Sequence, residues 1–463
     1  MTCRSQRVLH PTPVTSLDEY RTCGGGRGLG AATRITPAEI AGVILAAGLR
    51  GRGGAGFPAG RKWQTVAANA EAAGAAAVVV NGAEGEPGTF KDRSIVRHNP
   101  YRVVEGACIA ARAVGADRIV IALKRAFTTE VALVRRAIAE MSAAGMIPPA
   151  LECTVFEGPD EYLYGEESAL IETIDAGGPF PRVVPVYRTG LGGVPTLVNN
   201  VETIANVPRI LDRGVAWFRS VGTPDSPGTL VCTVTGDTRR HGVGEMRAGT
   251  SLRQVIGAIG GGPHPGHSVK AVLSGVANRV ITGDQLGVAL AHEALAAIGS
   301  GLGAAGFIVF DDRADMVAVA AGVARFLAVE SCGQCTPCKL DGAQLATVLA
   351  RIAANTATPF DLTVVERRIR TVSIGARCYL GVQQETVLTS IFERFRHEFD
   401  EHLHGRAPRA EPVPIAELID IREGVAVLDS HHAAKQPDWT YASHSSGCTP
   451  VDLRRNTTGG VGP

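Results

Sequence analysis

Aromatic residues are scarce, 5% of the chain, and net charge is nearly absent, with 46 basic against 45 acidic residues. So even a balance gives no electrostatic footprint for nucleic acid, which needs clustered Lys and Arg. No run of about 18 uncharged apolar residues occurs, so no direct membrane insertion is expected. Met1 to Tyr20 lacks the apolar stretch of a secretory signal. Ten cysteines in 463 residues are too thin for a disulfide scaffold. The expectation is a soluble protein in a reducing compartment. At roughly 100 to 200 residues per domain, the length predicts about three units.

The cysteines are unevenly placed. Cys332, Cys335 and Cys338 recur every third residue in Ser331 to Lys339, and Cys378 follows far down the chain. On a tight turn entering a helix, sulfurs at this spacing can face one centre. A free thiol near pKa 8.5 is mostly protonated, so a group binding four thiolates has to hold them ionised. Structural zinc usually takes two separated C-x2-C pairs, and no second pair exists here, so the run favours a [4Fe–4S] cluster with zinc as the alternative. Cys3, Cys23, Cys108, Cys153, Cys232 and Cys448 are scattered and read as small hydrophobes or tail thiols.

Glycine is the second concentration. After an irregular stretch to about Ile35, Thr36, Pro37 and Glu39 predict a capped helix that stops near Gly48. Gly51, Gly53 and Gly56 then spell G-x-G-x-x-G, but a helix precedes them where the dinucleotide fingerprint needs a strand. Closely set glycines still bare backbone N–H groups and let an anion or a flat ring approach, beside Arg50, Arg52, Arg61 and Lys62. The alternative is a flexible solvent loop.

From Ala75 the pattern alternates: strands at Ala77 to Asn81, Arg118 to Leu123 and Leu151 to Phe156, with helices at Tyr101 to Gly115, Thr128 to Ala144 and Glu166 to Asp175. Such alternation predicts a mostly parallel sheet covered on both faces, with ligands beyond the carboxyl ends of its strands. Glu84 and Glu86 follow the first strand, and Glu166 and Glu167 open a later helix. Carboxylates there suit ribityl or ribose hydroxyls, while Lys62 and loop N–H groups suit a phosphate. Glu166 and Glu167 can also simply complement a helix dipole, and Asn199 and Asn200 can cap the helix after them.

The segments GRGGAGFPAGRKW, NGAEGEPGTFKDR, YLYGEESAL, LVNNVETIANVP and ESCGQCTPC, in this order, resemble the NADH- and FMN-binding flavoprotein subunit of respiratory complex I and its relatives in NAD-linked hydrogenases and formate dehydrogenases. The likeness runs from about Asp18 to Phe399. It implies an NADH dehydrogenase that passes a hydride from NADH to FMN and single electrons to a [4Fe–4S] cluster on Cys332, Cys335, Cys338 and Cys378. It further implies that Gly51, Gly53, Gly54, Lys62, Asn81, Glu84, Tyr162, Glu166, Val198, Asn199, Asn200 and Thr203 line the flavin site. Phe57, Glu86 and Glu167 would meet the nicotinamide nucleotide, NAD(H), and Tyr187 could stack on adenine. No acid–base residue is needed. A thioredoxin-like [2Fe–2S] partner subunit and a larger redox complex are implied, with the chain cytoplasmic or peripheral on the inner face of a membrane.

Departures from that family occur at Ala83, where an acid is usual, at Val184, where a cation is usual, and at Thr65, where a bulkier apolar residue is usual. They bear on nucleotide affinity and suggest, as the alternative, a divergent electron-transfer or assembly subunit that keeps the cluster without oxidising NADH. The Ala83 form of the acidic loop is also similar to that of Rnf-type subunits, whose paired ferredoxin motifs are missing here.

The expected fold class is α/β: an N-terminal segment with the Gly-rich loop (1–72), an FMN-binding parallel-sheet domain (73–225), a small ubiquitin-like β-grasp domain (226–311), and a helical cluster-binding bundle (312–405). Residues 406–463 are expected to be a largely disordered tail, from their Pro, His, Ser, Thr and Gly content.

Overall fold

The structure, a computed structural model, describes residues 7–437. Four parallel strands, β1 (Ala77–Asn81), β2 (Arg118–Lys124), β3 (Glu152–Gly158) and β4 (Thr196–Asn200), form a sheet in the order β3-β2-β1-β4. Alternate residues of β1 face opposite sides: Val78 and Val80 join the helical core on one face, and Ala77 and Val79 join a smaller cluster with Tyr164, Leu170 and Val198 on the other. A strand rich in β-branched residues and buried on both faces is what a parallel sheet requires.

The N-terminal region departs from its expected irregularity. Helices Leu17–Thr22 and Arg27–Ala32 form before the capped helix Pro37–Ala47, which has the full Thr36–Glu39 capping box. Glu105 organises them: its buried carboxylate accepts from Tyr20 Oη at 2.5 Å, Gly26 N at 2.7 Å and Leu29 N at 2.8 Å. A single buried carboxylate thereby satisfies backbone donors that a polar, glycine-rich stretch cannot satisfy locally.

A second sheet, in the order β6-β5-β9-β7-β8, is built from β5 (Thr229–Gly236), β6 (Gly242–Arg247), β7 (Val269–Ser274), β8 (Ile281–Thr282) and β9 (Gly306–Asp311). It is mixed: β5 runs parallel to β9 and antiparallel to β6, while β7 is antiparallel to both neighbours. Helices Met316–Val329, Thr336–Ala353, Pro359–Thr371, Leu380–Arg394 and Arg396–Leu403 pack as the third unit around Phe326, Leu345, Val387 and Phe399.

The expected tail is corrected over residues 407–437, which fold. Ala410 N donates to Ala353 O at 2.9 Å and Val413 N to Ala318 O at 3.0 Å. A hairpin of β10 (Leu418–Arg422) and β11 (Val425–Leu428) follows. Its composition looks tail-like because its contacts are with distant elements. The tail expected from Ser443 to Pro463, together with Cys3 and Cys448, lies outside the described residues. Among the described residues no helix is long and apolar enough to cross a membrane.

Candidate flavin and cluster sites

β1 and β4 end side by side, with Asn81 paired to Asn200. Here the strand order reverses direction, which opens a crevice beyond the carboxyl ends. The Gly-rich loop closes one side of it. Gly51 N donates to Phe57 O at 2.8 Å, and Arg52 N donates to Thr203 Oγ1 at 2.9 Å. Gly53 packs so that an added Cβ would lie 3.3 Å from Asn200 Cβ. Gly54 has φ of 130° and open space where a Cβ would stand. That backbone state is reached easily only by glycine, and the bare face it leaves admits a flat ring.

The polar residues around this crevice are fixed by one another. Trp63 Nε1 donates to Asn199 Oδ1 at 2.7 Å, and Asn81 Nδ2 donates to Gly165 O at 2.8 Å. Glu84 accepts from the backbone N–H groups of Asp92 and Arg93 at 3.1 and 3.2 Å, so its carboxylate anchors the helix Lys91–His98. Glu166 likewise caps the helix Glu167–Ile174, accepting from Ser168 N and Ala169 N, in keeping with an acid at a helix start. Glu167 instead pairs with Lys62 at 2.7 Å, both part-exposed at the rim. Val198 is buried beneath, Phe57 is 51% exposed, and Tyr187 is half-buried with Arg188 about its ring. Val184 is 50% exposed, and Ala83 is buried.

Lys91 carries a role that linear reading does not reach. Fully buried, its Nζ meets Asp92 at 2.7 Å, Glu202 at 3.1 Å and Asn200 Oδ1 at 3.0 Å. Burial alone would pull its pKa down, but the carboxylates of Asp92, Glu202 and Glu84 outweigh it and hold the ammonium charged. Burial raises Asp92 to about 6 against the opposing pull of Lys91. Arg52, also buried, lies 3.7 Å from Glu202. The signal is present in the motif NGAEGEPGTFKDR, yet only packing reveals that Lys91 points inward.

Glu86 lies on the same loop beyond the strand end and is part-buried. Its carboxylate accepts from Tyr162 Oη at 2.5 Å and from Val276 N at 2.6 Å, which ties the loop after β1 to the second sheet unit. Burial raises the pKa of Glu86 and drives that of Tyr162 well above the ordinary phenol value. Tyr162 packs edge-on against Phe326 at 5.3 Å, and its backbone N donates to Glu330 at 3.0 Å.

Glu330 stands just ahead of the cysteine turn. Cys332, Cys335, Cys338 and Cys378 all line one cavity, together with Leu163, Pro181, Ser331, Arg377 and Leu380. The Thr336–Ala353 helix begins inside the motif, with Cys335 as its N-cap and Pro337 in its first turn. Donors point at the sulfurs: Arg377 N to Cys335 at 3.3 Å and Gln334 Nε2 to Cys332 at 3.6 Å, with Ser331 Oγ 3.3 Å from Cys338. Burial pushes the Cys338 thiol up to about 12 and raises Cys332 and Cys378 as well. Four thiols converging on one cavity with N–H donors around it, three of them made harder to ionise by burial, fit a metal cluster that would stabilise thiolates. Among the other described cysteines, Cys108 and Cys232 are buried and all are free.

Comparison with known proteins matches residues 44–209 to the Nuo51 FMN-binding domain and residues 318–402 to the NADH-ubiquinone oxidoreductase-F iron–sulfur binding region. The NADH-quinone oxidoreductase F subunit 2 of Rhizobium meliloti is 38% identical over 402 residues, 84% of this chain and 95% of that protein. The chain belongs to the family of NADH-quinone oxidoreductase F subunits. The family reaches beyond one complex: the NADP-reducing hydrogenase subunit HndC of Solidesulfovibrio fructosivorans is 34% identical over 401 residues, 84% of this chain and 81% of that one. Among solved structures, an NAD+-reducing [NiFe]-hydrogenase in the H2-reduced state superposes with TM-score 0.77 at 33% identity, covering 87% of this chain and 67% of that one. The FMN-binding match spans the Gly-rich loop and β1 to β4, and the iron–sulfur match spans all four cavity cysteines.

Proposed function

We propose that this chain is the NADH-oxidising, electron-input subunit of a larger redox complex, with FMN at the carboxyl ends of β1 and β4 and a [4Fe–4S] cluster on Cys332, Cys335, Cys338 and Cys378. The carrying observation is the continuity of the two sites: the Glu86–Tyr162 arm leaves the strand end of β1, and Tyr162 is bonded to Glu330 immediately before the cysteine turn. When bound, FMN supplies a ring that accepts a hydride and releases electrons singly, and the cluster supplies a one-electron carrier.

The chain's own part is positioning. Gly54 leaves the approach to the ring clear, while Gly51, Gly53, Asn81, Val198, Asn199, Asn200 and Thr203 shape the floor and wall of the crevice. Lys62 offers a cation for the phosphate, at the cost of its pairing with Glu167. Glu84 and Glu166 act as anchors of the wall, and Phe57, Glu86, Glu167 and Tyr187 are the candidates for the nicotinamide nucleotide side. The mixed sheet β6-β5-β9-β7-β8 supports the reading of a β-grasp unit that spaces flavin and cluster domains. A thioredoxin-like [2Fe–2S] subunit is the proposed neighbour, with the assembly at the inner face of a membrane.

Anaerobic addition of NADH to the purified protein tests this directly. Bleaching of the flavin band, followed by the signal of a reduced cluster, is expected. Unchanged spectra with flavin and iron present would leave the chain an electron-transfer or assembly subunit and overturn the reading.

A further inference from the structure

The folded segment after Arg406 crosses every unit of the protein. It leaves the helical unit at Ala353 and Ala318, and Glu417 pairs with Lys124 on the first sheet. Asp420 meets Arg97 at 2.9 Å, and Ala426 N donates to His241 Nδ1 in the second sheet unit at 2.8 Å. It then returns to the Met316–Val329 helix, where Arg325 donates to the carbonyls of His432, Ala433 and Lys435 at 3.0, 2.7 and 3.1 Å.

The return ends on a charge. Lys435 Nζ reaches Glu161 and Glu330, both at 2.8 Å, with the Glu330 side chain 4% exposed. His432 adds a second contact to Glu330 at 3.2 Å and stacks on Phe326 at 4.9 Å. Glu161 immediately precedes Tyr162, and Glu330 lies two residues before Cys332. One ammonium therefore sits between the residue that starts the tyrosine arm and the residue that starts the cysteine turn. Without it, two poorly solvated carboxylates face each other and repel, and Glu330 keeps only His432 to hold the orientation in which it accepts from Tyr162 N.

We propose that Lys435 is a positioning residue: by pairing with Glu161 and Glu330 at once, it locks the Glu86–Tyr162 arm onto the turn that carries Cys332. The inference rests on the function proposed above, since the turn matters as the bearer of the cluster. It gives the C-terminal segment a purpose beyond covering surface. A strap that only covered surface would have no need to place its last described cation between two acids at this junction.

The test uses the full chain with flavin and cluster in place. In Lys435→Met, amide hydrogen exchange at residues 161–165 and 330–338 should rise about fivefold or more, while the Leu252–Val255 helix of the second sheet unit stays unchanged. The cluster's midpoint potential should move lower, because the Glu161–Glu330 pair then carries one more unit of negative charge near the sulfurs. Lys435→Arg should restore both readouts. Should Lys435→Met not accumulate as folded protein, the Glu161→Gln, Lys435→Met pair keeps the group's net charge and serves instead: potential near that of the unaltered protein, exchange still raised. Unaltered exchange at both segments, an equal rise at Leu252–Val255, or no recovery with Arg would each overturn the proposal. Exchange does not depend on NADH oxidation, so a protein that fails to bleach with NADH refutes the proposed function and leaves this result readable.

Discussion

The strand-end crevice and the cysteine cavity solve opposite problems. Around the crevice, the polar groups satisfy one another: Trp63 with Asn199, Asn200 with Asp92 and Lys91, Glu84 with the Lys91–His98 helix, Asn81 with Gly165. Such a lattice holds its shape by bonds within the chain, so a ligand meets a surface already in place. In the cavity, burial makes each of Cys332, Cys338 and Cys378 harder to ionise. On the proposed function their arrangement would gain its full stability only with the cluster bound, since metal binding is coupled to thiol deprotonation. On the proposed function, a preorganised site and a metal-completed site thus sit in one chain, joined through Tyr162.

The contrast is broken most severely by Cys335→Ser. Loss of one ligand should abolish the broad visible absorbance and nearly all bound iron while flavin remains, as absorbance and iron assay would show. Retained iron would mean that Cys335 does not serve as a ligand. Gly54→Val attacks the other side: a branched side chain forced into φ of 130° and into the open face should lower flavin occupancy at least about tenfold, leaving iron unchanged. Full flavin with full NADH oxidation would remove Gly54 from the site.

Lys91→Met probes the lattice beneath the crevice. Leaving Asp92 and Glu202 buried without their cation should cost about 3–5 kcal/mol in denaturant unfolding. A change within the scatter of surface variants would show that the lattice is not what holds the crevice.

The smallest effect concerns His292, which packs against Gly56 beneath the loop. Burial, aided by Arg50 and Arg52, lowers its pKa to about 4 from the ordinary 6.5. Its contribution to stability is therefore complete above about 6.5 and is lost as pH falls through 4, an effect of about 3 kcal/mol. Melting temperature should fall over that window less steeply in His292→Gln than in the unaltered chain. Equal slopes would assign the acid sensitivity elsewhere.

Legibility in the sequence follows how local each signal is. Thr36, Pro37 and Glu39 announce the Pro37–Ala47 helix because a capping box is closed within four residues, and β1 and β2 are apolar runs bounded by turns. β4 escapes a linear reading since its end, Asn199 and Asn200, is polar, and only parallel pairing with β1 makes it a strand. The helix Lys91–His98 is half charged yet buried through residue 96, because Glu84, Glu202 and Glu130 supply its partners from elsewhere. The 407–437 segment reads as a tail for the same reason.

What the linear text determined was chemistry: three thiols at a three-residue interval with a fourth beyond, and glycines crowded where only a bare backbone can approach a ring. Those are properties of residue type and spacing. What the tertiary structure decided was which charges count, since Lys91, Glu86 and Lys435 look like surface residues until burial removes water and leaves each dependent on the partner that folding brings to it.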